Sequence, residues 1–300
     1  MSLEALLATS PSLESALQGA RRAAASEAGV LILGEPGSGR STMARALHDE
    51  SSRAGGPLVE VDAAGIPTTL FESELFGYEA GAFTGANESR PGRVAGALGG
   101  SLVLDHVEEI PLTVQPKLLR LLAEGRYAPL GGPERDADVR FLAIGSDDLP
   151  ERVRRGGFRE DLYYRLEVVT FRLPPLRQRR GDLSQLIDFF LDDLSRRMGR
   201  KDLHLADEAR RWMVEDHTWP GNLREMRNVL ERAVVMAEDG RLDPVAREAG
   251  DARPRPLEEV EREEIRRALN FTRGHQGRAA ELLGISRKTL WDKRKRYGIP

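Results

Sequence analysis

The run Gly34-Glu35-Pro36-Gly37-Ser38-Gly39-Arg40-Ser41-Thr42 has the spacing of a phosphate-cradling loop, G-x-x-x-x-G-K-[ST], with arginine in the lysine position. In such a loop, backbone N–H groups at a helix N-terminus point at phosphate oxygens, and the helix dipole favours the anion. Ser41 offers a hydroxyl to the Mg2+ that accompanies a nucleotide. Farther on, Leu102-Val103-Leu104-Asp105 is an apolar run ending in a carboxylate, which supplies the other metal-side group. Two substitutions fall at the centre of this chemistry. Arg40 keeps the charge of the usual lysine but not its shape, being a longer, planar fork. His106 follows Asp105, where many nucleotide hydrolases place the glutamate that orients the attacking water. A neutral imidazole can serve as a base, yet the combination is expected to weaken or abolish hydrolysis. The plain alternative is a glycine-rich strand–helix turn without a ligand.

Those residues need a scaffold, and the pattern supplies one. Val30–Leu33, Leu58–Val61, Ser101–Asp105 and Val139–Ile144 are short apolar strands, and Arg40–Glu50 and Leu112–Glu124 have helical spacing. Strands alternating with helices predict a three-layer α/β domain with a mainly parallel sheet. Beyond Val168 no strong strand is expected. Pro174-Pro175 breaks the chain, and Asp182–Met198, Ala206–Glu215 and Asn222–Ala237 read as helices of a small subdomain. Pro244, Pro254 and Pro256 mark a linker. The expected organisation is a core over 1–172, a helical lid over 173–243, a linker over 244–257 and an all-α domain over 258–300.

Residues 74–86 carry a more specific signature. Gly81-Ala82-Phe83-Thr84-Gly85-Ala86 spells GAFTGA, the hallmark loop of the AAA+ activators of sigma-54 RNA polymerase. Gly99–Asp105 resembles that family's approach to the metal-side carboxylate, and Gly157–Leu166 its arginine-finger segment. Leu173–Arg177 and Trp219–Glu225 resemble the start of its lid and the sensor II motif. The resemblance covers residues 10–300. It implies rings, usually hexamers, that bind ATP with Mg2+ between subunits. It implies that Arg159 and Arg165 reach a neighbour's nucleotide, that Arg224 faces the phosphates of its own, and that Gly81–Ala86 touches the sigma factor.

Four positions depart from the family pattern around one γ-phosphate: Arg40, His106, Asp62 in place of an asparagine, and Ser146 after Gly145 in place of the sensor I Thr-Asn. Together they point to relaxed hydrolysis machinery on a preserved ring and sigma-contact surface. A regulator with impaired hydrolysis is expected, in a ring of like or mixed subunits. The other reading is a pseudo-ATPase scaffold, a repressor, or an inactive partner in a mixed ring.

The net charge of -3 hides an asymmetry, because residues 260–300 hold eleven basic and five acidic residues. Glu258–Asn270, Gln276–Leu283 and a Ser286-capped helix to Tyr297 form a helix-turn-helix pattern with Gly284 at the turn. The segment Ala279–Leu290 resembles the Fis-type DNA-binding domain. Arg278, Ser286, Arg287, Lys288 and Thr289 are candidates for contact with double-stranded DNA, with Lys293, Lys295 and Arg296 as phosphate contacts. Asp292 would repel phosphate if it faced DNA, and Arg294 stands where the family usually buries a leucine. A dimerisation hairpin is the alternative.

Composition narrows the remaining classes. A chain of 300 residues, 40% hydrophobic and 31% charged, has the makings of a packed core. The absence of cysteine excludes disulfides, thiolate metal sites and cysteine nucleophiles. The five histidines lack companions at ligand spacing, so no metal besides nucleotide-bound Mg2+ is expected. No apolar run is long enough for a membrane span, and the first residues do not resemble a signal peptide. A bacterial cytoplasmic location is expected. No sensory domain precedes residue 10, so control is expected to come from expression or partners.

Overall fold

The computed structural model describes residues 10–200, 203–237, 240–242, 261–262, 264–266, 268–269, 272 and 275–299. The linker over 244–257 therefore lies outside the described residues, as does part of the helix expected over 258–270. The chain divides into two compact units, residues 1–245 and 246–300.

In the first unit five parallel strands form one sheet. They are β1 (Val30–Gly34), β2 (Leu58–Asp62), β3 (Ser101–Asp105), β4 (Arg140–Gly145) and β5 (Val169–Leu173), in the spatial order β2-β3-β4-β1-β5. The order makes β1, β3 and β4 interior strands; β1 and β4 are buried at every position and β3 at all but Asp105. This is why they read as unbroken apolar runs rather than alternating ones. The β5 strand corrects the expectation that no strong strand followed Val168. It is an edge strand, paired only with β1, and its Thr170 and Arg172 interrupt the apolar run. The sheet is packed on one side by α1 (Glu14–Ala24) and α2 (Arg40–Asp49). The other side is covered by α3 (Thr68–Phe76), α4 (Gln115–Glu124) and α5 (Glu160–Leu166). The α4 helix starts three residues later than its apolar spacing suggested, because Pro116 sits in its first turn.

The lid closes around its own core. Helices α6 (Leu183–Met198) and α7 (Asn222–Met236) pack on Trp219 and Met213, both fully buried. The helix expected over 206–215 is α-helical over Asp207–Arg211 and continues as a π-helical turn over Trp212–Asp216. In the second unit, α8 (Gln276–Leu282) and α9 (Arg287–Tyr297) flank a turn in which Gly284 adopts a left-handed φ of 65°. Ala279, Ala280 and Leu290 fill the centre with Ile265 and Leu269. The side-chain oxygen of Ser286 accepts from the Thr289 N–H at 3.0 Å, capping α9.

Candidate functional site

Parallel strands deliver their C-terminal ends to one edge of the sheet, and open α/β sheets bind ligands in the crevice beyond that edge. Here the crevice is a cavity of about 450 Å3 lined by Pro36, Gly37, Ser38, Gly39, Arg40, Ser41, Thr42, Asp105 and His106. Across it stand Arg224 and Arg227 from α7. Gly37 and Gly39 take left-handed φ values of 77° and 107°. A Cβ on Gly37 would lie 2.5 Å from the Gly221 carbonyl, so only glycine fits where the loop meets the lid. The first N–H groups of α2 have no partner within the helix and open into the cavity. Ser41 Oγ donates to Asp105 Oδ2 at 3.3 Å. Arg224 is exposed and has no ion pair among the described residues. This set fits the phosphates of a nucleotide, and Ser41 and Asp105 are the residues that would hold an accompanying Mg2+. Leu17, Leu173, Leu186 and Phe190 add apolar lining to the cavity, which suits a flat base.

Arg40 does not take part in this cradle as a lysine would. It is buried, and one guanidinium nitrogen donates to the Gly34 carbonyl at 2.7 Å and the Gly145 carbonyl at 2.5 Å. The side chain therefore bridges the ends of β1 and β4. One of its nitrogens is thereby committed to the backbone, while the side chain still lines the cavity.

His106 follows β3 in a left-handed conformation, φ 54°, which turns its ring toward β2. Its Nδ1 lies 2.8 Å from Asp62 Oδ1. Asp62 and Asp105 are register partners at the ends of β2 and β3. Two of the four unusual residues thus form one carboxylate–imidazole pair. Ser146 turns away: its hydroxyl bonds Asp148, and it does not line the cavity.

Gly34 and Glu35 also act beside the cavity rather than in it. The Gly34 carbonyl holds Arg40. Glu35 accepts both guanidinium nitrogens of Arg177 at 2.6 and 2.8 Å and the Asn222 amide at 3.2 Å. The Arg177 bonds hold the Glu35 carboxyl below the usual carboxylate range. Asn222, fully buried, also donates to Pro36 O and accepts from Leu176 N–H. Arg179 donates to Ser38 O from beneath the loop, and burial pulls its guanidinium below the usual arginine range. These lid-to-loop ties were not read from sequence. Arg177 and Asn222 stood out as members of motifs, but nothing in the sequence pointed to Glu35 as their partner.

Arg159 pairs with Asp161 through two bonds of 3.0 and 2.7 Å, and Arg165 donates twice to Leu122 O. Neither lines the cavity of its own protomer. The 81–86 segment forms a closed loop above the short antiparallel pair Gly77–Tyr78 and Arg90–Pro91. The Gly81 N–H donates to Ala86 O at 2.7 Å, and Gly81 and Gly85 take φ of 85° and 101°. Phe83, 46% exposed, leans edge-on against Tyr78 with ring centroids 5.0 Å apart. Thr84 is exposed, Ala82 half-buried and Ala86 buried.

In the second unit Arg278, Arg287, Lys288, Lys295 and Arg296 are exposed. Two residues are differently placed from a DNA-contact role. Lys293 is half-buried and donates to Glu261 at 2.5 Å, so it ties α9 to its own domain. Thr289 is engaged with the Ser286 cap. The Arg287 guanidinium folds back over Gly277, where a Cβ would meet it at 2.2 Å. Among the described residues, no helix is long and apolar enough to cross a membrane.

Comparison with known proteins identifies the family and the fold. Residues 6–172 match the sigma-54 interaction domain, 177–248 an AAA+ ATPase lid domain, and 256–297 the bacterial regulatory protein, Fis family. The chain is 42% identical over 300 residues to the alginate biosynthesis transcriptional regulatory protein AlgB of Pseudomonas aeruginosa, covering 97% of this chain and 67% of that protein. It is 41% identical to the regulatory protein AtoC of Escherichia coli, covering 98% and 68%. The chain thus spans about two thirds of the length of these curated relatives. The crystal structure of NtrX from Brucella abortus in complex with ADP superposes with a TM-score of 0.75 at 33% identity, covering 97% of this chain and 69% of that one. Its counterpart in complex with ATP gives 0.74. From the matched domain and the identity across nearly all of its length, the chain belongs to the sigma-54 interaction domain family, on an AAA+ fold.

Proposed function

We propose that this chain is a bacterial, cytoplasmic, sigma-54-dependent transcriptional regulator with impaired ATP hydrolysis. It binds double-stranded DNA through its Fis-type unit and nucleotide in an AAA+ ring. Gly81–Ala86 meets the sigma factor, with Phe83 as the apolar contact at the tip of the loop. ATP and Mg2+ bind more weakly than in relatives with a lysine at position 40. When bound, the nucleotide supplies the γ-phosphate whose presence a neighbouring subunit detects through Arg159 and Arg165.

The observation that carries the impairment is the position of Arg40. A lysine there presents a compact ammonium to phosphate oxygens. The Arg40 guanidinium instead donates to two buried carbonyls, and withdrawing it would cost both bonds. The experiment is nucleotide binding together with steady-state ATPase across a protein concentration series with Mg2+. Binding with little turnover supports the reading, whereas turnover at the rate of a lysine-bearing relative would overturn it.

A second reading has support of its own. Arg159 and Arg165 are retained and lie outside their own protomer's cavity. A subunit with a weak site of its own could then complete the site of a competent neighbour in a mixed ring. ATPase that appears only on mixing with such a partner, and disappears with Arg159→Ala in this chain, would favour it.

A further inference from the structure

Helix α9 has one exposed face made by Lys288, Trp291, Asp292 and Lys295, the i, i+3, i+4, i+7 positions of a helical stripe. The opposite side is committed inward: Leu290 is buried, and Lys293 and Tyr297 both donate to Glu261. Lys295 lies 5.4 Å from the Trp291 ring centroid, so it stacks along the same stripe. Asp292 stands in the middle. It has no hydrogen bond or ion pair among the described residues, although Lys288 and Lys295 are one helical turn to either side.

We propose that Asp292 reads a cytosine in the major groove, accepting from its N4–H. The proposal rests on the reading that this unit binds DNA. An unpaired carboxylate at the centre of a recognition face is unfavourable against phosphate, so the position must meet a hydrogen-bond donor. The major groove offers two, the amino groups of cytosine and adenine. The adenine amino group sits beside the N7 acceptor, which repels a carboxylate, whereas the cytosine amino group has no acceptor next to it on its own base. Asparagine, by contrast, matches adenine with both a donor and an acceptor. Lys288 and Lys295 flank the carboxylate and supply the cations that bring it to the groove.

The test is selection of binding sites from random duplexes by the full chain, followed by equilibrium binding to the selected site and to its single-base variants at several salt concentrations. Wild type should select a fixed cytosine, and replacing it should cost about tenfold in affinity, the size of a single mismatch in a specific site. Asp292→Ala should lose that preference while binding generic DNA at least as tightly, because a negative charge has left the face. Asp292→Asn should move the preference at the same position to adenine. Retention of the same cytosine preference by Asp292→Ala would overturn the proposal, as would a wild-type site with no fixed cytosine. Absence of DNA binding by all three proteins at low salt would overturn the DNA reading itself. Circular dichroism checks that the variants are folded, which the exposed, unpartnered position leads us to expect.

Discussion

Nδ1 of His106 and Oδ1 of Asp62, from the ends of adjacent strands, lie 2.8 Å apart. The pair has the opposite polarity to an asparagine facing a glutamate: the carboxylate is now on β2 and the hydrogen-bond donor follows β3. Restoring a glutamate at 106 alone would set two carboxylates against each other, and like charges at that separation cannot both ionise. Arg40→Lys/His106→Glu should therefore remain a poor ATPase. Adding Asp62→Asn should raise turnover by at least about tenfold, a modest share of the 10²–10⁴-fold that a positioned base contributes. Steady-state ATPase of the two variants decides it, and equal rates would mean that Asp62 does not restrain position 106.

Arg40 joins stability to ligand affinity. In Arg40→Lys the shorter side chain holds its ammonium short of the point from which one guanidinium nitrogen reaches both the Gly34 and Gly145 carbonyls. The ligand-free protein should lose about 1–3 kcal/mol, the cost of stranding a buried acceptor. The freed charge should tighten ATP binding by roughly tenfold, the lower end of a charge-assisted hydrogen bond. Chemical denaturation and calorimetric titration measure the two effects separately. Unchanged stability would mean that the Arg40 bridge is not maintained in solution.

Asn222 is the point at which the lid meets the phosphate loop. Asn222→Asp is nearly isosteric, but it places a second carboxylate against Glu35, 3.2 Å from the amide it replaces. We expect a loss of about 3 kcal/mol at neutral pH, that of a buried charge without its donor. The sign with pH follows from the two carboxyls. Wild-type Glu35 has a depressed value in the folded state, so its contribution is intact at neutral pH and is lost only as pH falls through that lowered value. The new carboxyl would have a raised value, so its penalty is present at neutral pH and fades as it protonates on acidification. The two stability curves should converge as pH falls. Parallel curves would show that position 222 and Glu35 do not interact.

How far the sequence could be read depended on whether a residue acts through its neighbours in the chain. The three interior strands β1, β3 and β4 announce themselves as apolar runs, the edge strand β2 still carries Leu58, Val59 and Val61, and Ser286 and Gly284 mark the start of α9 and the turn before it. The β5 strand was hidden because an edge strand can alternate and still pair on one side, as Thr170 and Arg172 do. At the site, the identities of Arg40, Asp62, His106 and Ser146 flagged a change, but not its form. Nothing local says that Arg40 turns to a carbonyl on β4 or that Asp62 grips His106. Those contacts join segments brought together only by the strand order. Asn222 and Arg177 were legible as motif members, yet their target Glu35 was not.

Phe83 and Tyr78 make a local prediction for the loop. With rings 5.0 Å apart, Tyr78 supports Phe83 while leaving it exposed. Phe83→Ala should abolish the nucleotide-dependent association with sigma-54 RNA polymerase while DNA and nucleotide binding stay at wild-type levels. Tyr78→Ala should weaken the same association less, by loosening the support rather than removing the contact. Co-sedimentation with polymerase holoenzyme in the presence of a non-hydrolysable ATP analogue reads both. Wild-type association by Phe83→Ala would remove the loop tip from the interface.

The two lysines Lys288 and Lys293 of α9 separate a DNA contact from an internal tie. Each phosphate neutralised on binding releases counterions, so losing one contact lowers the slope of log affinity against log salt by about one. Lys288→Ala, on the exposed stripe, should show that reduction and keep its melting temperature. Lys293→Ala should keep the salt slope and lower the melting temperature, since its ammonium is bound to Glu261 on the adjoining helix. Glu261→Gln should reproduce the Lys293→Ala melting shift, and the double variant should add little to it, because both remove the same pair. If Lys293→Ala instead lowered the salt slope, the ammonium would have to leave Glu261 when DNA binds, and the inward side of α9 would be part of the interface.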